Sequence, residues 1–170
     1  MKTLFKRMIG AARLDAHTYE EVEADRTSTG AAMFVVILAS IAAAIGAGAG
    51  DWITVSALVI ALLAIWMVWV GLTLLIGTAL LPEPQTHADI GEVLRTTGFS
   101  AAPGIFRVLG VVPVIGWVLF LGVNLWMLFS FVVAIRQALD YGSARRALAV
   151  CILGWMIHGL LLFGFVRVAM

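Results

Sequence analysis

GFSAAPGIFRVLGVVPVIG, residues Gly98–Gly116, is the stretch whose reading decides the fold of this chain. It is apolar apart from Ser100 and Arg107, and it runs into Pro113 between Gly110 and Gly116. Two readings compete. In one, a short helix of about residues 98–110 crosses a membrane, turns at Gly110-Val111-Val112-Pro113, and the next helix returns over residues 114–136. In the other, Gly98–Val112 is interfacial or re-entrant, and the chain crosses four times instead of five.

Around this stretch lie four charge-free runs: Ala31–Gly50 (20 residues), Trp52–Leu81 (30), Val108–Ile135 (28) and Ala147–Val166 (20). A helix rises about 1.5 Å per residue and hydrocarbon is about 30 Å thick, so each run is long enough to cross. Unpaired backbone amides are costly in lipid, which favours helices over any open structure. The composition agrees, with 62% hydrophobic and 12% charged residues against about a quarter charged in a soluble domain. The expected fold is therefore an all-α, polytopic transmembrane bundle. Its spans are about 31–50, 53–81, 98–110, 114–136 and 147–166, after a cytoplasmic N-terminal segment of residues 1–30.

Positive charges arbitrate the span count, because short cytoplasmic loops are enriched in Lys and Arg. Five spans with the N-terminus inside put Lys2, Lys6, Arg7, Arg13, Arg26, Arg95, Arg136, Arg145 and Arg146 on the cytoplasmic side, nine of the eleven. Arg107 and Arg167 fall near the other face, where a long side chain can snorkel. Four spans would put Arg136, Arg145 and Arg146 outside, so five are expected. Trp52 and Trp117 suit interfacial positions, whereas Trp66, Trp69, Trp126 and Trp155 are expected to fill the core. Ala42, Gly46 and Gly50 on the first span, and Ala57 with Ala61 on the second, predict close helix contacts within the chain or between chains.

In the polar segments, Leu4, Phe5, Met8, Ile9 and Ala12 recur at helical spacing opposite Lys2, Lys6, Arg7 and Arg13. This is the pattern either of an amphipathic helix on an anionic leaflet or of a plain topology signal. Thr18 and Glu21 read as a capping box opening a short acidic helix. Pro82–Asp89 stops one span and starts a short helix from Ala88 to about Thr97, capped by Thr86 or Asp89. Glu83, His87 and Asp89 match no metal-ligand spacing and read as a solvated loop.

The net charge of +1 and the dispersed cations argue against nucleic-acid binding. No phosphate loop, dinucleotide fingerprint or paired-cysteine motif is present, Cys151 being the only cysteine. No catalytic residue, metal or cofactor is assigned. Ser100 and His158 do not read as a nucleophile and its base, since one sits at a span edge and the other mid-span. Asn124 and His158 are expected to form interhelical hydrogen bonds, and the candidate binding residues are Arg95, Arg107, Asn124, Arg136 and His158.

Three strings go beyond hydrophobicity: Tyr19-Glu20-Glu21-Val22-Glu23-Ala24-Asp25 with Thr29-Gly30-Ala31, Leu94-Arg95-Thr96-Thr97-Gly98-Phe99 continuing to Gly104, and Val133-Ala134-Ile135-Arg136-Gln137-Ala138-Leu139-Asp140. With the five apolar helices behind a polar tail, they make the chain resemble a bacterial member of the Yip1 family. The resemblance implies a five-helix integral membrane protein with a cytosolic N-terminus, here in a bacterial cytoplasmic membrane. The eukaryotic branch is associated with small GTPases, membrane shaping and vesicle traffic, but its Asp-Leu-Tyr-Gly-Pro type motif is absent and GTPase binding is not carried over. The expected role is a non-enzymatic scaffold or interaction protein. Its partners are the bilayer and other membrane proteins or itself, and the alternative is a small transporter or channel component lined by Asn124, His158, Thr73 or Thr78.

Overall fold

The computed structural model describes residues 2–169, with side chains described as far as His158. It is an all-helical bundle of α1 (Lys2–Ala12), α2 (Ala16–Ala24), α3 (Thr29–Gly46), α4 (Trp52–Leu75), α5 (Ile90–Ser100), α6 (Gly116–Ala138) and α7 (Ala144–Ala169). Among the described residues, Arg26–Gly46, Trp52–Leu80 and Gly116–Ala138 are long and apolar enough to cross a bilayer. The Arg167 side chain lies outside the described residues.

The deciding stretch is not one α-helix. A capping box opens α5, Asp89 accepting from the Glu92 amide at 2.9 Å while Glu92 accepts from the Asp89 amide at 2.8 Å. After Ser100 the chain tightens into a ten-residue 3-10 stretch, Ala102–Val111, where the sequence predicts a continuous short helix. Pro103 removes an amide that an α-helix would use. The tighter winding, three residues per turn, stacks Gly104, Arg107 and Gly110 on one face. That face lies against α3. A Cβ on Gly98 would meet Ala32 Cβ at 2.8 Å, one on Gly104 would meet Ala39 Cβ at 3.0 Å, and one on Gly110 would meet the Gly46 oxygen at 2.5 Å. The matching positions step by seven along α3 and by six along its partner, about 21 Å and about 23 Å over the seam. The two therefore run parallel and side by side over the same depth. Gly116 backs onto the Gly110 carbonyl, and α6 returns from there with Met127 opposite Gly104.

This geometry gives the bundle a glycine end, where Gly46, Gly110 and Gly116 meet, and a polar end. The loops before α5 and before α7 share the polar end. Arg146 pairs with Glu83 at 2.9 Å, Glu83 accepts from the Gly142 amide at 3.0 Å, and Gln85 donates to the Asp140 carbonyl at 3.2 Å. Glu83 is thus a clamp between two loops and not a solvated side chain. At the end of α4 the chain widens into a π turn, Ile76–Leu80, and the Tyr141 hydroxyl donates to the Gly77 and Leu81 carbonyls at 3.1 and 2.9 Å.

The first two helices form a hairpin packed on the bundle. Met8 and Ala11 of α1 and Tyr19 and Val22 of α2 join the main core with Ala32, Val35 and Phe99, while Phe5 and Ile9 stay outside, 59% and 53% exposed. The expected apolar stripe is therefore split between core and surface. The hairpin tip reaches well along α6: Trp126 Nε1 donates to the Ala12 carbonyl at 2.7 Å, and Tyr19 and Ser130 hydroxyls meet at 2.7 Å. The expected Thr18–Glu21 capping box is not formed. Helix α2 opens earlier, with Asp15 accepting from the His17 amide and from Thr18 Oγ1.

Candidate functional site

Between α4, the third segment (α5 and its 3-10 continuation) and α6, edged by Trp155 of α7, lies a cleft of about 270 Å³. Its walls are mostly aromatic and aliphatic: Leu62, Ile65, Trp66 and Trp69 of α4, Met127, Leu128 and Phe131 of α6. Trp69 packs edge-on to Phe131 at 5.8 Å and to Trp155 at 6.5 Å between ring centres. The core role expected for the deep tryptophans thus fails for Trp155, 64% exposed on the cleft's outer lip, and for Trp126, 37% exposed.

Four polar side chains enter the cleft: Thr97, Ser100, Arg107 and Asn124. Two are occupied locally, Thr97 donating to the Val93 carbonyl at 2.6 Å and Ser100 to the Thr97 carbonyl at 2.7 Å; Thr97 also accepts from Trp66 Nε1 at 3.2 Å. The Ser100 hydroxyl is thereby committed, and no hydrogen bond joins it to His158 among the described residues. Asn124 donates to the Phe120 carbonyl of its own helix at 2.7 Å, and the interhelical bond expected of it is not formed among the described residues. Arg107 reaches the Gly104 and Ala39 carbonyls only at 3.4 Å each, long for such bonds. No carboxylate pairs with it among the described residues.

The remaining candidates sit elsewhere. The His158 ring centre lies 6.0 Å from that of Trp69, and its buried Nδ1 has no hydrogen-bond partner among the described residues. Arg136 donates to the Tyr141 carbonyl at 3.3 Å and shapes the turn after α6. Arg95 is 4% exposed and holds the hairpin, donating through Nε to the Val22 and Glu23 carbonyls at 3.0 and 2.9 Å and through Nη2 to Glu23 again. Of the five, the fold brings only Arg107 and Asn124 together. Thr73 is buried with its hydroxyl unpartnered and Thr78 donates to the Leu74 carbonyl, so the four residues expected to line a path do not share the cleft.

Glu23, which the sequence places on the solvated face of the short acidic helix, is partly buried at the polar end. Burial pushes its carboxyl up to about 7, helped by Asp140 and Glu92 and opposed by Arg95. A carboxyl that binds its proton more tightly folded than unfolded lowers stability as pH rises between the two values. Docking of the hairpin, read as protection of α1 and α2 from protease, is expected to weaken from about pH 4.5 through about pH 7. Glu23→Gln removes that slope, and an unchanged slope in the variant would assign it to another group.

No curated protein and no solved structure matches this chain. The Yip1 domain model matches residues 14–166, from the hairpin turn into the last helix, and the chain belongs to the Yip1 family of integral membrane proteins.

Proposed function

We propose that the protein is a five-pass scaffold of a bacterial cytoplasmic membrane, with its N-terminus inside, that gathers other membrane proteins or further copies of itself. The parallel course of α3 and the third segment supports the five crossings, as does the sharing of one end by the hairpin and the loops around Glu83 and Asp140. No soluble domain stands outside the bundle in the described chain, and the short loops are engaged with each other.

One observation carries the association reading. Ala32, Ala39, Ala42, Ala43 and Ala44 of α3 are buried inside the chain, whereas Ala57, Ala61, Ala64 and Gly71 of α4 stand exposed on one helix, and a Cβ on Gly71 would meet nothing within 4 Å. Of the three long apolar helices, α4 is the least covered. Small residues let helix backbones approach closely in lipid, where packing and not hydrophobicity drives association. With the buried Cys151 replaced by alanine, Ala61→Cys is expected to give a thiol cross-linked adduct at native expression level, and Ala61→Ile to reduce partner recovery several-fold. Absence of any adduct from Ala57→Cys and Ala61→Cys would contradict the reading.

A further inference from the structure

We propose that the cleft between α4, α6 and the third segment seats one acyl chain of an anionic phospholipid, with the lipid phosphate on Arg107. This inference rests on the membrane crossing of the third segment and α6, and it is independent of any pairing through α4.

Arg107 supplies the charge argument. A guanidinium at membrane depth costs several kcal/mol unless it is paired or reaches water. Here its hydrogen bonds among the described residues go to two carbonyls at 3.4 Å, and the arginine–carboxylate pairs among those residues lie elsewhere, at Arg7 and Arg146. Among the described residues no carboxylate serves as its counterion, and a lipid phosphate would supply one. Arg107 stands three residues before Gly110, about 6 Å below the glycine end at a rise of about 2 Å per residue. That is a depth a lipid phosphate reaches. A guanidinium offers a fork of donors matched to phosphate oxygens, and Asn124 retains one amide N–H and its oxygen beside it.

The shape argument points the same way. From Arg107 the cleft continues toward the polar end past Trp66, Trp69 and Phe131, where every hydroxyl is already bonded to the protein. The walls there are mostly carbon, which suits an alkyl chain better than a headgroup. At about 270 Å³ the space falls just under the 300–1,000 Å³ range of drug-sized ligand sites, room for one chain and not for a whole lipid.

The test uses the full chain in phosphatidylcholine vesicles, titrated with brominated-chain phosphatidylglycerol or brominated-chain phosphatidylcholine, with tryptophan quenching as the readout. Contacts on the outer lipid surface quench equally for both headgroups. A charge-assisted hydrogen bond is worth about 1.5–3 kcal/mol and tenfold in affinity is about 1.4 kcal/mol, so a roughly tenfold preference for the anionic lipid is expected. Arg107→Gln should bring the ratio near one while Arg107→Lys retains most of it. Leu128→Phe, which fills the cleft and leaves the cation in place, should reduce quenching by both lipids. Equal quenching by the two headgroups in the unmodified chain, or a preference unchanged in Arg107→Gln, would overturn the proposal. Labelling of Val114→Cys from the opposite side of the membrane to the N-terminus shows separately that the crossing stands.

Discussion

Gly110→Val is expected to prevent assembly of the bundle, with loss of a single species in mild detergent. The reason is what surrounds the missing side chain. A Cβ at Gly110 would sit 2.5 Å from the Gly46 oxygen and 3.1 Å from its carbonyl carbon, and neither atom belongs to a side chain that can swing away. Gly46 faces the Arg107 carbonyl just as closely, so Gly46→Val should fail in the same manner. Overpacking in a core ordinarily costs about 1–3 kcal/mol. Here relief would require separating α3 from the third segment along their whole seam, and a loss beyond about 3 kcal/mol is expected from a net stability of about 5–15 kcal/mol. Gly104 sets a graded control, because its nearest neighbour is Met127 Sδ at 2.8 Å, the end of an adaptable side chain. Gly104→Ala should be milder, and Gly122→Ala, where a Cβ meets nothing within 4 Å, should be neutral. Thermal unfolding in detergent checks the order; equal behaviour of Gly110→Val and Gly122→Ala would mean that the seam does not hold the bundle.

Arg95→Leu is expected to release the N-terminal hairpin. Arg95 reaches from α5 to two successive carbonyls at the end of α2, where the helix has run out of its own donors. Hydrogen bonds from a charged donor contribute about 1.5–3 kcal/mol each, and stranding a buried acceptor adds to the loss. With that tie gone, the hairpin keeps its apolar contacts and the bonds that Trp126, Ser130 and Gln137 of α6 make with Ala12, Ala11, Tyr19 and Glu20. Limited proteolysis should then cut within residues 2–28 while α3 to α7 remain intact. Arg95→Lys is not expected to rescue, since one ammonium cannot reproduce a fork aimed at two carbonyls. A wild-type cleavage pattern in both variants would show that the hairpin stays docked without Arg95.

The membrane architecture was legible in the sequence because it rests on runs of twenty or more apolar residues, which no local contact can override. The winding of Ala102–Val111 was not. Pro103 and the glycines marked an irregularity, but that Gly104, Arg107 and Gly110 share one face follows from a three-residue turn that only packing against α3 stabilises. The first two helices misled for a related reason. Leu4, Phe5, Met8, Ile9 and Ala12 make one stripe on paper, yet the second helix of the hairpin turns Met8 and Ala11 inward and leaves Phe5 and Ile9 out. Capping showed both outcomes, since Asp89, one of the two caps expected for α5, does cap it, joined by Glu92, which was not foreseen, whereas Asp15 displaced Thr18 as the cap of α2. Of the candidate site residues, Arg107 and Asn124 come from segments seventeen residues apart joined by a hairpin. Their meeting depends on the turn at Gly110–Gly116, which polarity alone does not reveal. Glu23 read in the sequence as one acid of a solvated helix face, and its shift was not legible there because it comes from burial and from Asp140, far along the chain.

The most direct test of the five-crossing account is sided thiol labelling in intact membranes of single cysteines at Gln85, Val114 and Ser143, in a background with Cys151 replaced by alanine. The account predicts that Gln85→Cys and Ser143→Cys react from the same side and Val114→Cys from the other. Reaction of Gln85→Cys together with Val114→Cys, and of Ser143→Cys from the opposite side, would contradict it and establish four crossings.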